Sequence, residues 1–421
     1  MKILHITEND RPGAGGAVHQ LHDELLTIGA ESKMLVMISE KPDKHIIKYT
    51  PPKETALNKV SNRISQLLAH YKTVPYIEYW SNNHYLFTLP KTLNKISKHP
   101  LIKEADIIHL HWISYMVDYE DFFANLTGKR IIWTLHDKNP FTGGCHTVGH
   151  CTNYERGCGS CYQLDSNNPN DLSRKVFLIK QKAYEKHALC FVAPSQQMLL
   201  AAKKSLLLRN SEIHCIPHGV SLSIFKKREK SLSRNLLNLP QDKILILFGA
   251  FVSYLNKGFN YLQEALAFLK GKKVDFSRVA VVTFGPKQNA GAFEKKTGIP
   301  IYQLGLILDR IKLSHAYSSC DVFVNTSPEE SFSQTCLEAM SCETPVVAFP
   351  VGAMPEIITS NKTGVLANLK DADDLAGKIE YILSHPEERQ EIGANARKHV
   401  EQAYNIKIEA KRYYDIYKGL L

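Results

Sequence analysis

Glu330 and Glu338 are separated by Ser-Phe-Ser-Gln-Thr-Cys-Leu and follow the apolar run Val322-Phe-Val324. On a single helix, eight steps would leave the two carboxylates about 80° apart and nearly two turns apart along the axis, too far to converge on one small group. The spacing fits a strand-to-helix loop carrying Glu330 and a following helix carrying Glu338, with the hydroxyls of Ser331, Ser333 and Thr335 available to cap the helix start. Exposed N–H groups and the positive dipole end favour phosphate at such a start, so a diphosphate resting between carboxylates that hold hydroxyl-bearing groups becomes plausible chemistry. A nucleotide-sugar has that layout. The bland alternative is a loop glutamate followed by a solvated helix glutamate.

Other residue groups have comparable placements. Lys257-Gly258 opens a helical stretch from Phe259 to Leu266, and a lysine there opposes the helix dipole unless its charge meets an anion. Gly13-Ala-Gly15-Gly16 lies between the first apolar run and an evident helix, where small residues allow close backbone approach; the spacing does not meet GxGxxG, and a tight turn explains it equally. His136 ends an apolar run and precedes Asp137, which is placed to fix its tautomer. His109 and His111 alternate on one face of another run, either lining an acceptor side or packing against a helix.

The stretch Asn325-Thr-Ser-Pro-Glu-Glu-Ser-Phe-Ser-Gln-Thr-Cys-Leu-Glu-Ala-Met340, followed by Gly352-Ala-Met-Pro-Glu-Ile357, resembles the donor-site signature of family 4 glycosyltransferases. Gly15-Gly16, Thr134-Leu-His-Asp137, Pro194-Ser195, Pro217-His-Gly-Val220 and Lys257-Gly258 fall in the family's order along almost the whole chain. The resemblance implies a retaining, metal-independent hexosyl transfer from a nucleotide diphosphate sugar, UDP- or GDP-linked, to a glycan or lipid-linked glycan. It also implies the GT-B architecture, two Rossmann-like domains facing across a cleft. Carried onto this chain, it gives Glu330, His136 and Lys257 catalytic roles. It assigns donor binding to Gly15, Gly16, Ser331, Phe332, Ser333, Gln334, Glu338 and Ile307, with the base held by backbone near Leu304 to Ile307. An arginine usual in the family is missing from Gly249-Ala-Phe-Val-Ser-Tyr-Leu-Asn256. A glycoside hydrolase would also use two carboxylates, about 5.5 Å apart across a sugar, an arrangement the helix-start placement disfavours. A non-catalytic nucleotide-sugar-binding subunit of the same fold is the other alternative.

Cys145, Cys151, Cys158 and Cys161 follow one another at spacings x5, x6 and x2 within a Gly-rich segment. Four thiolates ending in a CxxC can surround zinc at about 2.3 Å, with His146 or His150 as substitutes; disulfides and free thiols are the competing readings. The motif resembles a subgroup related to colanic-acid glycosyltransferases, which implies bacterial surface polysaccharide synthesis. Its position after His136 suggests that it shapes the acceptor pocket.

These residues need elements to hold them. Apolar runs at Ile3–Ile6, Lys33–Ile38, Ile107–His111, Arg130–Thr134 and Cys190–Ala193 predict strands of one α/β unit. Runs at Lys243–Gly249, Val279–Gly285, Ile301–Gly305, Asp321–Val324, Pro345–Phe349 and Gly364–Leu366 predict a second. Helical stretches between them imply parallel sheets covered on both faces. The expected division is residues 1–217, a polar linker over 218–240, and 241–404, with 405–421 returning to the first domain as the resemblance implies. A chain of 421 residues can bury such cores without disulfides. The net charge of +10 lies within residues 1–234, the remainder being balanced. This fits an approach path for anionic substrates, a peripheral membrane contact centred on Ala56 to His99 with Lys91, Lys95 and Lys98, or a plain solvated basic surface. No recognised nucleic-acid module accompanies the charge. With no apolar run of membrane-spanning length, no signal-peptide pattern at the start and nine cysteines, the expected setting is a reducing cytoplasm.

Overall fold

The computed structural model describes residues 1–39, 43–50, 86–126, 128–249, 257–269 and 275–421. The chain forms two compact units, Met1–Cys215 with Ile416–Leu421, and Ile216–Asp415. The segment expected to touch acceptor or membrane lies largely outside the described residues. Its described part holds Lys91 and Lys95 in ion pairs with Glu120 and Asp121, at 2.9 and 3.5 Å, and Lys98 ends a single 3-10 turn, Ile96–Lys98.

The first unit contains β1 (Lys2–Ile6), β2 (Glu31–Val36), β3 (Ile46–Lys48), β4 (Ile107–Leu110), β5 (Arg130–Thr134), β6 (Leu189–Ala193) and β7 (Glu212–Cys215). They pair in the order β3-β2-β1-β4-β5-β6-β7, every pairing parallel. The second unit contains β8 (Ile244–Gly249), β9 (Val279–Phe284), β10 (Ile301–Gln303), β11 (Val322–Asn325), β12 (Val346–Ala348) and β13 (Val365–Leu366). Their order is β10-β9-β8-β11-β12-β13, again all parallel. Central strands such as Leu189–Ala193 and Val279–Phe284 are buried at every position because helices cover both faces, which explains their unbroken apolar runs.

Each sheet reverses its winding direction once, between β1 and β4 in the first unit and between β8 and β11 in the second. The strand carboxyl ends beside such a reversal leave a crevice, because the connections on either side run to opposite faces. The segments that follow β1, β4, β8 and β11 carry Gly13 with the helix-start residues Gly15 and Gly16, then His111, Lys257 and Glu330 respectively. The parallel topology thus brings residues distant in sequence to two strand ends.

Residues 218–240, expected as a linker, fold into the second unit. Val220, Phe225, Leu237 and Leu239 join its apolar core, and a helix, Lys230–Leu236, lies within the segment. Arg234 and Lys230 both pair with the buried Asp321, at 3.0 and 2.9 Å, so the basic run is anchored by an acid from β11's entrance. The terminal helix Ile406–Leu420 begins in the second unit, and the chain from Ile416 onward belongs to the first.

Candidate functional site

Glu330 lies on the loop after β11, and Glu338 lies on the helix Gln334–Ser341. The Lys257 ammonium donates to Glu330 Oε1 at 2.5 Å. Two features of the turn after β8 set this contact. Gly258 adopts φ +71, and a Cβ there would lie 2.0 Å from the Thr326 carbonyl oxygen, so only glycine lets the turn nest against the β11 loop. Thr326 Oγ1 then donates to the carbonyl oxygens of Gly258 and Lys257, at 2.8 and 3.2 Å. Gly352 plays the matching part from β12's side, since a Cβ at its φ of +58 would lie 2.4 Å from the Glu330 carbonyl oxygen.

The helix start differs from the expected capping. Ser333 occupies the N-cap in a left-handed conformation, φ 78, and makes no side-chain cap. Its hydroxyl is drawn back to β11, accepting from Asn325 Nδ2 at 2.7 Å. The first turn of Gln334–Ser341 therefore has no hydroxyl cap, and its N–H groups suit an anion at that position. Phe332 is buried against His218 and Tyr404, with ring centroids 5.1 and 6.2 Å away, so its side chain is part of the core. Gln334 Nε2 donates to the Gly219 carbonyl at 3.1 Å. His218 and the Gly219 N–H are in turn held by Glu409, at 3.0 and 2.7 Å, which gives the Pro217-His-Gly-Val220 motif a structural use. Ile307 is buried in the apolar core, and Gly305 before it takes φ +70.

Glu338 is buried and accepts from the Tyr317 hydroxyl at 2.8 Å. Burial pushes its carboxyl up to about 7, with the Tyr317 hydrogen bond and the Arg310 charge acting in the opposite direction. The folded value is above the ordinary 4.5, so the folded chain holds a proton that the unfolded chain has released between these values. Stability should therefore fall as pH rises from about 4.5 to about 7 and level off above it. If a ligand's hydroxyls need the ionised carboxylate, its affinity should move the other way, weakening by up to about tenfold per pH unit below 7. Calorimetric titration with a nucleotide diphosphate sugar, whose phosphates keep their charge over this range, checks the slope.

In the first unit the glycines separate into two kinds. A Cβ on Gly15 would lie 2.2 Å from the Asn9 carbonyl oxygen, whereas one on Gly16 would meet nothing closer than 3.4 Å. Gly15 is thus required by the packing of the β1 loop. Gly16, at the partly exposed start of the helix Ala14–Thr27, is not.

His136 is partly exposed just beyond β5, and its Nε2 lies 3.0 Å from His111 Nδ1. His111 Nε2 lies 3.0 Å from His5 Nδ1, so three imidazoles from the ends of β1, β4 and β5 form one chain. Asp137 does not contact His136 as expected. It accepts from Trp112 Nε1 at 2.7 Å and pairs with His146 Nδ1 at 2.6 Å. Burial works to raise its carboxyl, yet His146 and the hydrogen bonds from Asn139 and Trp112 hold it below the usual carboxylate range. His109 is fully buried between the Thr134 hydroxyl and Tyr417, at 2.8 and 2.7 Å. The sequence pattern gave no sign of His5, since a histidine inside an apolar strand run reads as core.

The segment 141–164 packs through its glycines. Added Cβ atoms at Gly143, Gly157 and Gly159 would lie within 2.3 Å of Ser173 O, Arg174 Nη1 and Pro169 O respectively. No disulfide joins Cys145, Cys151, Cys158 and Cys161 to one another.

Residues 229–399 match the family model described as Glycosyl transferases group 1. D-inositol 3-phosphate glycosyltransferase from Arthrobacter sp. (strain FB24) is 31% identical over 195 residues, covering 45% of this chain and 46% of that protein. D-inositol 3-phosphate glycosyltransferase 2 from Catenulispora acidiphila is 24% identical over 304 residues, 70% of this chain and 66% of that one. The chain thus spans about half the length of the first of these relatives and about two thirds of the second. Among solved structures, sucrose-phosphate synthase from Thermosynechococcus elongatus aligns with a TM-score of 0.68 at 19% identity, covering 100% of this chain and 99% of that one. HepE from Anabaena, solved with UDP-glucose, aligns at 0.65 and 16% identity over 100% of both chains. The fold is therefore α/β of the GT-B type, as expected from sequence. No helix among the described residues is long and apolar enough to cross a membrane.

Proposed function

We propose that this protein transfers a sugar from a nucleotide diphosphate sugar to an acceptor hydroxyl, with retained anomeric configuration and without a catalytic metal. The observation that carries this reading is the meeting of Lys257 and Glu330 at the β8/β11 reversal, next to the uncapped start of Gln334–Ser341. A leaving diphosphate needs positive charge and N–H donors fixed in advance, and this corner supplies both. Lys257 moves from Glu330 to the phosphates. Glu330, released, accepts hydrogen bonds from the transferred sugar, with backbone N–H groups of Ser331 to Gln334 binding sugar and phosphate oxygens. Glu338, held by Tyr317, accepts from the ribose, and backbone near Ile307 meets the base. Gly16 admits the diphosphate to the start of its helix, and His136 contacts the donor sugar.

The acceptor is a glycan or lipid-linked glycan of a bacterial surface polysaccharide, with His111 on its side of the reaction. The names of the aligned relatives supply a second candidate, a phosphorylated inositol. The basic excess in residues 1–234 suits either anionic acceptor class, in a cytoplasmic setting with peripheral attachment to the membrane's inner face.

The reading is tested by incubating the protein with UDP-, GDP- and ADP-sugars and following thermal stability and nucleotide release. A donor at a hundred times its dissociation constant should stabilise the fold by about 2.7 kcal/mol. Absence of any shift across the three bases would reject the donor assignment. Binding without nucleotide release under any acceptor would favour a non-catalytic subunit. Gly16→Ala gives a finer check, because a Cβ fits the ligand-free fold and alanine favours helix. Its melting temperature should hold or rise, while donor affinity falls about tenfold or more through lost backbone approach.

A further inference from the structure

The imidazoles of His5, His111 and His136 form a hydrogen-bonded row that runs from inside the first unit to a partly exposed ring at the end of β5. His5 and His109 are direct partners on the neighbouring strands β1 and β4, and the His111 backbone N–H donates to Ile6 O at 3.0 Å, so the sheet sets the spacing of the inner rings. His5 Nδ1 stands 3.0 Å from His111 Nε2, and His111 Nδ1 stands 3.0 Å from His136 Nε2. The row ends inside at His5 Nε2. That atom is buried and has no hydrogen-bond partner among the described residues. His109, with its ring centroid 5.0 Å from that of His5, has its nitrogens engaged by Thr134 and Tyr417.

Proton counting then decides the direction of the row. Each link needs one N–H and one bare nitrogen. With His5 Nε2 bare, neutral His5 carries its proton on Nδ1 and donates to His111 Nε2. His111 must then carry its own proton on Nδ1 and donate to His136 Nε2, which leaves the His136 proton on Nδ1. The reversed order puts an N–H on His5 Nε2, where nothing accepts it. One more proton added with both links intact has the same result, because the row then ends in an N–H on either side. A buried N–H without an acceptor is rarer in folded chains than an under-used acceptor, and it costs the full desolvation of the group. Surroundings act in the same direction: burial, and then the neighbouring His22, hold the His5 imidazole well below its ordinary 6.5.

We propose that His5, acting through His111, is the positioning residue that fixes His136 as the neutral Nδ1–H tautomer, so that His136 meets its ligand as a hydrogen-bond donor and not as a base. Its Nε2 is occupied by the His111 N–H, and its Nδ1 holds the proton. In sugar transfer, the reading given above and the one on which this use rests, His136 donates to an oxygen of the bound sugar. The tautomer itself does not depend on that reading. Asp137, the neighbour expected to set it, is engaged by Trp112 and His146, and histidines from two other strands take its place.

His5, His109 and His111 also present donor atoms within 4.8 Å of one another. A metal there would take the lone pairs that hold the row and the two hydroxyls, so row and metal exclude each other.

The test is nitrogen NMR of the ligand-free full chain with 15N-labelled histidine rings, the His136 signals being those lost in His136→Gln. At neutral pH His136 should show a protonated Nδ1 and a bare Nε2, with the reversed form at least about tenfold less populated. An Nε2–H form, or a roughly equal mixture, would overturn the proposal. So would a divalent metal ion retained by the native chain and lost in His5→Leu. Activity supplies a second readout. His5→Leu keeps the strand position apolar and removes the donor to His111, whereas the amide of His5→Asn restores an N–H near the Nδ1 position. Packing alone favours leucine over asparagine at a buried site. The proposal predicts the opposite order in kcat: leucine lowers it about tenfold with KM little changed, and asparagine recovers at least about threefold even where leucine melts higher. Leucine matching or exceeding asparagine in kcat would reject the positioning role. If no donor is turned over, the transfer reading fails while the nitrogen spectra still decide the tautomer, and the native chain decides it even if the His5 variants do not fold.

Discussion

Lys257→Ala is expected to lower kcat/KM by about a hundred- to a thousandfold, the loss seen when one fixed donor to a developing anion is removed, corresponding to about 3–4 kcal/mol. The effect should fall mainly on kcat, because negative charge on the diphosphate grows as the glycosidic bond breaks. Stability should change little. The Lys257 side chain is about a quarter exposed, and ion pairs open to solvent contribute at most about 1 kcal/mol. Steady-state kinetics with the preferred donor, set beside thermal melts, separates the two effects. A drop of less than about threefold would remove Lys257 from the chemistry and leave it an ordinary partner of Glu330.

Gly258→Ala should damage fold and turnover together. The left-handed backbone alone costs an alanine about 1 kcal/mol, and the added Cβ meets the Thr326 carbonyl oxygen at 2.0 Å, so the turn must move off the β11 loop. A loss of about 2–3 kcal/mol in urea unfolding is expected, with a fall in kcat close to that of Lys257→Ala, because the displaced turn carries the ammonium with it. Thr326→Val isolates the positional part. It keeps the shape while removing the hydroxyl that holds Gly258 and Lys257, so activity should drop several-fold with a stability change near 1 kcal/mol. If Gly258→Ala retains full turnover, the turn is not what aims Lys257.

The strands inside each sheet were legible because burial on both faces demands unbroken apolar runs, which few other elements show. The edge strands Ile46–Lys48 and Glu212–Cys215 were not, being short, partly polar and half solvated. Residues 218–240 read as a linker because charge dominates them, yet Val220 and Phe225 are fully buried and Arg234 is held by Asp321, a partner 87 positions away. The candidate site shows the same division. Lys257 and Glu330 stood out because each follows an apolar strand, but their mutual contact depends on β8 and β11 being neighbours, which sequence spacing does not encode. The Ser333 cap failed as an expectation because Asn325 on the preceding strand competes for the same hydroxyl. Asp137 was assigned to the adjacent His136, whereas the fold turns it toward Trp112 and His146.

The short Lys257–Glu330 contact also bears on how a catalytic cycle would end. With the sugar gone to the acceptor, Glu330 has no hydroxyls left to hold and competes with the spent diphosphate for the same ammonium. Under the proposed transfer, Glu330 would thus act as a displacing anion tethered at high effective concentration, opposing rebinding of the by-product. Bare nucleotide should accordingly inhibit weakly relative to the intact donor, and Glu330→Gln should turn it into a tighter inhibitor.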